Sequence, residues 1–79
     1  MPNGLFNWSY KDVVSFLKEN NFEFLEQRKG SHEAWRNRIT DAVVEINVHG
    51  QKSFFPRTLE TMIRQSKIEK KEWRKWAGK

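Results

Sequence analysis

Residues 22–37 read "FEFLEQRKGSHEAWRN", and their alternation decides the fold. Phe22 to Arg28 is a run rich in aromatic residues, the composition of a strand. Side chains alternate along a strand, so Phe22 and Phe24 share one face and Leu25 lies on the other. Gly30 breaks the run and marks a tight turn. Ser31 to Arg38 then resumes as a second strand, with Glu33, Trp35 and Asn37 alternating against His32, Ala34 and Arg36.

Outward from this hairpin, "RITDA" (38–42) reads as a connection and "VVEINVHG" (43–50) as a third strand. Its core face is Val44, Ile46 and Val48, which sets His49 on the opposite face just before Gly50. Upstream, Ser9 is placed to cap a helix, with Asp12 in the capping-box position three residues on. Tyr10, Val13, Val14 and Leu17 then follow the spacing of one buried helical face. Asn20 or Asn21 is suited to a left-handed helix end. Downstream, "GQKSFFPR" (50–57) is a loop, Pro56 suits a first helical turn, and Thr58 is a candidate cap. Leu59, Met62 and Ile63 form the stripe of this second helix, which runs to about Ser66. "IEKKEWRKWAGK" (68–79) offers a short third helix. Trp73 and Trp76 lie three apart on it, a spacing that suits docking onto the domain better than stacking on bases.

The order helix, strand, strand, strand, helix makes an antiparallel meander with both helices hiding their stripes on one sheet face. The expected fold is thus an α+β sandwich with one sheet face open and a C-terminal helical extension. At 79 residues the chain is one domain, and such a chain buries only roughly 60% of its unfolded surface.

Charge is unevenly placed. Residues 1–56 carry seven basic and seven acidic side chains, whereas residues 57–79 carry eight basic and three acidic ones, so the net +5 lies in the last third. A basic patch suits RNA, DNA or an acidic protein. There is no cysteine, which removes disulfides and thiolate metal sites, and no HExxH-type spacing is present; no metal or cofactor is expected. "MPNGLFNWSY" lacks the pattern of a signal peptide, and no apolar stretch approaches the ~20 residues of a membrane span. The expected compartment is the cytoplasm.

His32 is the residue with chemistry to offer. An imidazole can take or give a proton near neutral pH. In RNA cleavage such a base removes the 2′-OH proton, and Arg28, Lys29 or Arg36 nearby could hold the phosphate. On residues alone, a polar histidine on the wet face of a strand is the simpler reading. His49, followed by Lys52, could be a second acid–base group, a weak metal ligand or neither. Ser31 reads as a hydroxyl that fixes the turn.

Together "QRKGSHEAW", "VVEINVHG", "TLETMIRQSKI" and the element order resemble the HicA toxins over about residues 9–68. These are small mRNA interferases with a fold like the double-stranded RNA-binding domain. The resemblance implies that His32, after Gly-Ser, is catalytic in a metal-independent endoribonuclease. It implies messenger RNA as substrate and a HicB-type antitoxin as partner. The RNA-contacting set would be Arg28, Lys29, Ser31, Arg36, His49, Lys52, Arg57 and Arg64. Arg57 and Lys67 stand where the family commonly has glycine. The first eight residues add nothing to the resemblance, and 69–79 form a basic extension. Two other readings stay open: a non-catalytic RNA-binding module of this architecture, and an interaction domain for an acidic protein.

Overall fold

Ser9 sets the start of the first helix, α1 (Tyr10–Glu19). Its hydroxyl accepts the Asp12 N–H at 3.1 Å, and the Asp12 carboxylate accepts the Ser9 N–H at 3.0 Å. Two donors that no helical carbonyl can reach are thereby satisfied. The structure is a computed structural model and describes residues 3–48, 50 and 52–78. Helix α1 buries Val13, Phe16 and Leu17, while Tyr10 and Val14 are half-buried against the same core. Phe16 was absent from the stripe read from sequence. The left-handed residue at the helix end is Asn21, with φ 72°.

Three antiparallel strands follow, β1 (Phe22–Arg28), β2 (His32–Asn37) and β3 (Val43–Asn47), in the spatial order β1-β2-β3. Residues opposite one another share a face. Trp35 pairs with Phe24 and Val44, and Glu33 with Ile46, so these point to the helices. Tyr10 of α1 donates to Glu33 at 2.7 Å, and Lys18 sits 5.9 Å from the Trp35 ring centre. His32, Ala34 and Arg36 point the other way, with Arg28, Glu26 and Glu45.

Simple alternation fails in β1. Phe24 opposes Trp35 and the next pair is Glu26 with Ala34, leaving Leu25 as an unpaired extra residue. This bulge bends an edge strand. Phe22 is buried, but Phe24 is half exposed.

Asn37 closes β2 and joins three segments. Its amide donates to the Asn20 carbonyl at 3.1 Å, and its Oδ1 accepts the N–H groups of Ile39 and Thr40 at 2.8 and 3.0 Å. The end of α1 and the β2–β3 turn are thus held by one buried side chain.

Helix α2 (Pro56–Ser66) starts on Pro56, with Phe55 as an N-cap that makes no side-chain hydrogen bond. Thr58 lies inside the helix and so does not cap it. Leu59, Met62, Ile63 and Ser66 are buried. The helix stops at Lys67, which takes the left-handed conformation at φ 61°. Ser66 Oγ donates to the Ile63 carbonyl at 2.7 Å and accepts the Ile68 N–H at 3.0 Å.

Helix α3 (Lys70–Ala77) docks as its tryptophan spacing suggested. Trp73 and Ala77 are buried and Trp76 is half-buried. The two tryptophans meet Trp8, which is fully buried; its indole donates to the Gly4 carbonyl at 2.7 Å and its backbone carbonyl accepts the Phe54 N–H at 2.8 Å. Trp8, Phe16 and Trp73 belong to the same apolar cluster as Val44, Ile46, Leu59 and Met62. Among the described residues no helix is long and apolar enough to cross a membrane.

Candidate active site and nucleic-acid face

His32 opens β2 directly after the Lys29–Gly30–Ser31 turn. Gly30 adopts φ 72°, a conformation that side chains disfavour. Room is not the reason for a glycine there, because an added Cβ would lie 3.9 Å from His32 Cδ2, an ordinary contact. Gln27 braces the turn by donating to the Gly30 and His32 carbonyls at 3.4 and 3.0 Å. Ser31 ties it to the end of β3, its carbonyl accepting the N–H of Val48, just past the strand, at 2.7 Å.

The imidazole stands on the open sheet face with 44% of its side chain exposed. Its register partners are Arg28 on β1 and Asn47 on β3. Glu45 lies diagonally across, with Oε1 3.6 Å from His32 Nδ1. The other oxygen of Glu45 accepts from Arg28 Nη1 at 3.0 Å, and Arg28 Nε donates to Glu26 at 2.9 Å. Hydrogen bonds to Glu26 and then Glu45 hold the guanidinium pKa above its usual value.

Two clefts meet at His32. One, of about 330 Å³, is lined by Glu45, Asn47 and the Arg57, Thr58, Thr61, Met62 and Gln65 side of α2. The other, of about 400 Å³, is lined by Arg28, Lys29 and Glu45. Gln65 draws α2 to this position, its Oε1 accepting the Glu45 backbone N–H at 2.9 Å. Among the described residues, Lys29 and Arg57 have no carboxylate within ion-pair distance.

The structure therefore brings His32, Arg28, Lys29 and Arg57 together, with Ser31 in the supporting turn. It does not bring the rest. Arg36 shares the open face but lies four residues along β2, roughly 13 Å away, opposite Glu23 and Val43. Arg64 is exposed on α2, with Nη2 3.5 Å from Thr61 Oγ1. Lys52 is exposed in the loop before α2. Neither Arg64 nor Lys52 lines the His32 clefts. His49 lies outside the described residues.

Glu45, Asn47, Thr58, Thr61 and Gln65 were missing from the site expected from sequence. One signal was available: Glu45 interrupts an apolar strand, and the core assignment of Val44 and Ile46 puts it on the face of His32. Which side chain it would meet required the strand register.

The arrangement offers an accessible imidazole, a carboxylate beside one of its nitrogens and, among the described residues, two cations without an ion pair nearby. Residues 10–68 match the family model described as HicA toxin of bacterial toxin–antitoxin. No curated protein and no solved structure matches the chain. The matched segment contains His32 and every residue lining its clefts, but neither Trp8 nor Trp73.

Proposed function

The chain belongs to the HicA toxin family of bacterial toxin–antitoxin systems, and on that premise we propose that it cleaves messenger RNA with His32 as the general base. A cognate antitoxin is the partner that family membership implies; we take it to be of the HicB type and to act by covering the His32 clefts. The supporting observation is the exposed imidazole between two clefts, with Lys29 on one side and Arg57 on the other.

In this reading His32 accepts the proton of a ribose 2′-OH. The freed oxygen attacks the adjacent phosphorus while the bond to the 5′-oxygen breaks. Lys29 and Arg57 stabilise the charge that grows on the phosphoryl oxygens. The 5′-oxygen takes a proton from solvent water as it leaves, giving a 2′,3′-cyclic phosphate and a free 5′-hydroxyl, and the protonated His32 returns its proton to solvent. Acid–base assistance of this kind is worth about 10²–10⁴-fold.

The test is cleavage of end-labelled RNA by purified protein beside its His32→Ala variant, with circular dichroism to show that both are folded. We expect the parent to give cyclic-phosphate ends and the variant to bind RNA without cutting it. Equal cutting by both would remove His32 from the chemistry. Binding without cutting by either, with translating ribosomes also supplied, would favour a non-catalytic RNA-binding module.

A further inference from the structure

Ala34 points to the open face of the sheet, between His32 and Arg36, yet it is fully buried. Its register partners explain this. Glu26 lies opposite on one side and Glu45 on the other, and Arg28 hydrogen-bonds both carboxylates. The three charged side chains thus bridge the sheet above the small alanine. The bridge ends at the imidazole, where the second oxygen of Glu45 faces Nδ1.

We propose that Glu45 is a positioning residue for His32, and that Arg28 anchors Glu45 instead of binding phosphate. The inference rests on the reading of His32 as the catalytic base and deepens it. A carboxylate facing Nδ1 favours the tautomer with its proton there and leaves the Nε2 lone pair to act as base. At 3.6 Å the contact is longer than a hydrogen bond. The electrostatic preference for a proton on the nearer nitrogen acts at that distance all the same. Arg28 fixes the carboxylate because both of its hydrogen bonds go to acidic side chains, which occupies a guanidinium that would otherwise face RNA.

The remaining charged neighbours of His32 do not duplicate this role. The turn presents Lys29 and α2 presents Arg57, both cations. Glu45 is the carboxylate that faces the ring among the described residues lining its clefts.

The experiment is nitrogen NMR of the neutral imidazoles in the full chain, in the parent and in Glu45→Ala and Arg28→Ala. The spectrum of His32→Ala identifies which of the two histidines is which. We expect His32 to carry its proton on Nδ1 in the parent and to shift toward the Nε2–H form, which free imidazole prefers, in Glu45→Ala. A parent already in the Nε2–H form, or a tautomer unmoved by Glu45→Ala, would overturn the proposal. In cleavage assays, Glu45→Ala and Arg28→Ala should lower kcat by about tenfold or more with KM nearly unchanged. Raised KM at constant kcat in Arg28→Ala would make Arg28 a phosphate ligand and overturn its anchoring role. If the parent holds the Nδ1 tautomer but cuts no RNA, the positioning contact stands and the catalytic reading fails.

Discussion

Trp8 and Trp73, from opposite ends of the described chain, are both fully buried with ring centroids 5.3 Å apart. Phe16 of α1 lies 4.2 Å from Trp73 and meets Trp8 edge-on at 5.9 Å. Three segments that share no local sequence thus meet in one aromatic contact. Large rings of this kind each bury about 200 Å², and such burial is worth on the order of 5 kcal/mol before ordering costs.

Trp73→Ala should therefore destabilise the fold by about 3–5 kcal/mol, a large share of the stability of any small domain. Denaturant unfolding followed by circular dichroism reads the loss. A change below about 1 kcal/mol would mean that α3 contributes little to the core. Trp73→Phe should lose less than its size change suggests. Among the described residues the buried Trp73 indole N–H has no hydrogen-bond partner, and removing it relieves a desolvation cost.

Asn37→Ala should cost about 2–3 kcal/mol, since its three hydrogen bonds join α1 to the β2–β3 turn. Asn37→Asp is the sharper probe. It keeps the acceptor for Ile39 and Thr40 but sets a carboxylate against the Asn20 carbonyl. Equal stability of the aspartate variant and the parent in denaturant melts would show that the bond to α1 is dispensable.

Tyr10 gives the fold an alkaline limit. Burial, then its hydrogen bond to Glu33 and the charge of that carboxylate, push its pKa up to about 12 from 10.0. The fold favours the neutral phenol, so this contribution is complete below pH 10 and is lost as pH rises through about 12. Tyr10 is the one tyrosine in the chain, so tyrosinate absorbance in the folded protein reports it directly. Titration near the ordinary phenol value would contradict the contact. Tyr10→Phe should flatten the stability profile over the same pH range.

Lys67→Gly should stabilise the protein by about 0.5–1 kcal/mol. Lys67 holds a left-handed conformation at φ 61° as it ends α2, and a side chain there meets steric cost that glycine avoids. The denaturation midpoint should rise with an unchanged slope. A fall in midpoint would mean that the lysine side chain stabilises the helix end by more than its backbone strain costs.

Much of this was legible because it depends on neighbours in sequence. The Ser9–Asp12 box, the Gly30 turn and the Leu59–Met62–Ile63 stripe are local patterns, and each stands where it was expected. Lys67 stood out only through the resemblance, as a departure from an expected glycine, and its backbone angle was not foreseen. What stayed hidden depends on partners distant in sequence. Leu25 reads as a normal strand residue until β2 shows that nothing opposes it. Trp8 has no periodic company and gains its role only when α3 arrives. At the candidate site, Lys29 follows from its proximity to His32 along the chain. Glu45 meets the imidazole only through the β2–β3 register, and Arg36, close to His32 in sequence, is carried four residues along the strand to face Glu23 and Val43.

The burial of Trp8 under α3 also bears on the order in which the chain is made. A chain leaves the ribosome N-terminus first, and domains generally fold as units. Trp8 and α1 emerge early, but the ring that covers them is not synthesised until position 73. A nascent chain that has just passed residue 68 already contains His32 and the family-matched segment, but not yet the Trp73 that packs on Trp8 and Phe16. Completion of the native core therefore waits on the synthesis of α3, which puts a delay between making the candidate catalytic residue and securing the fold that holds it.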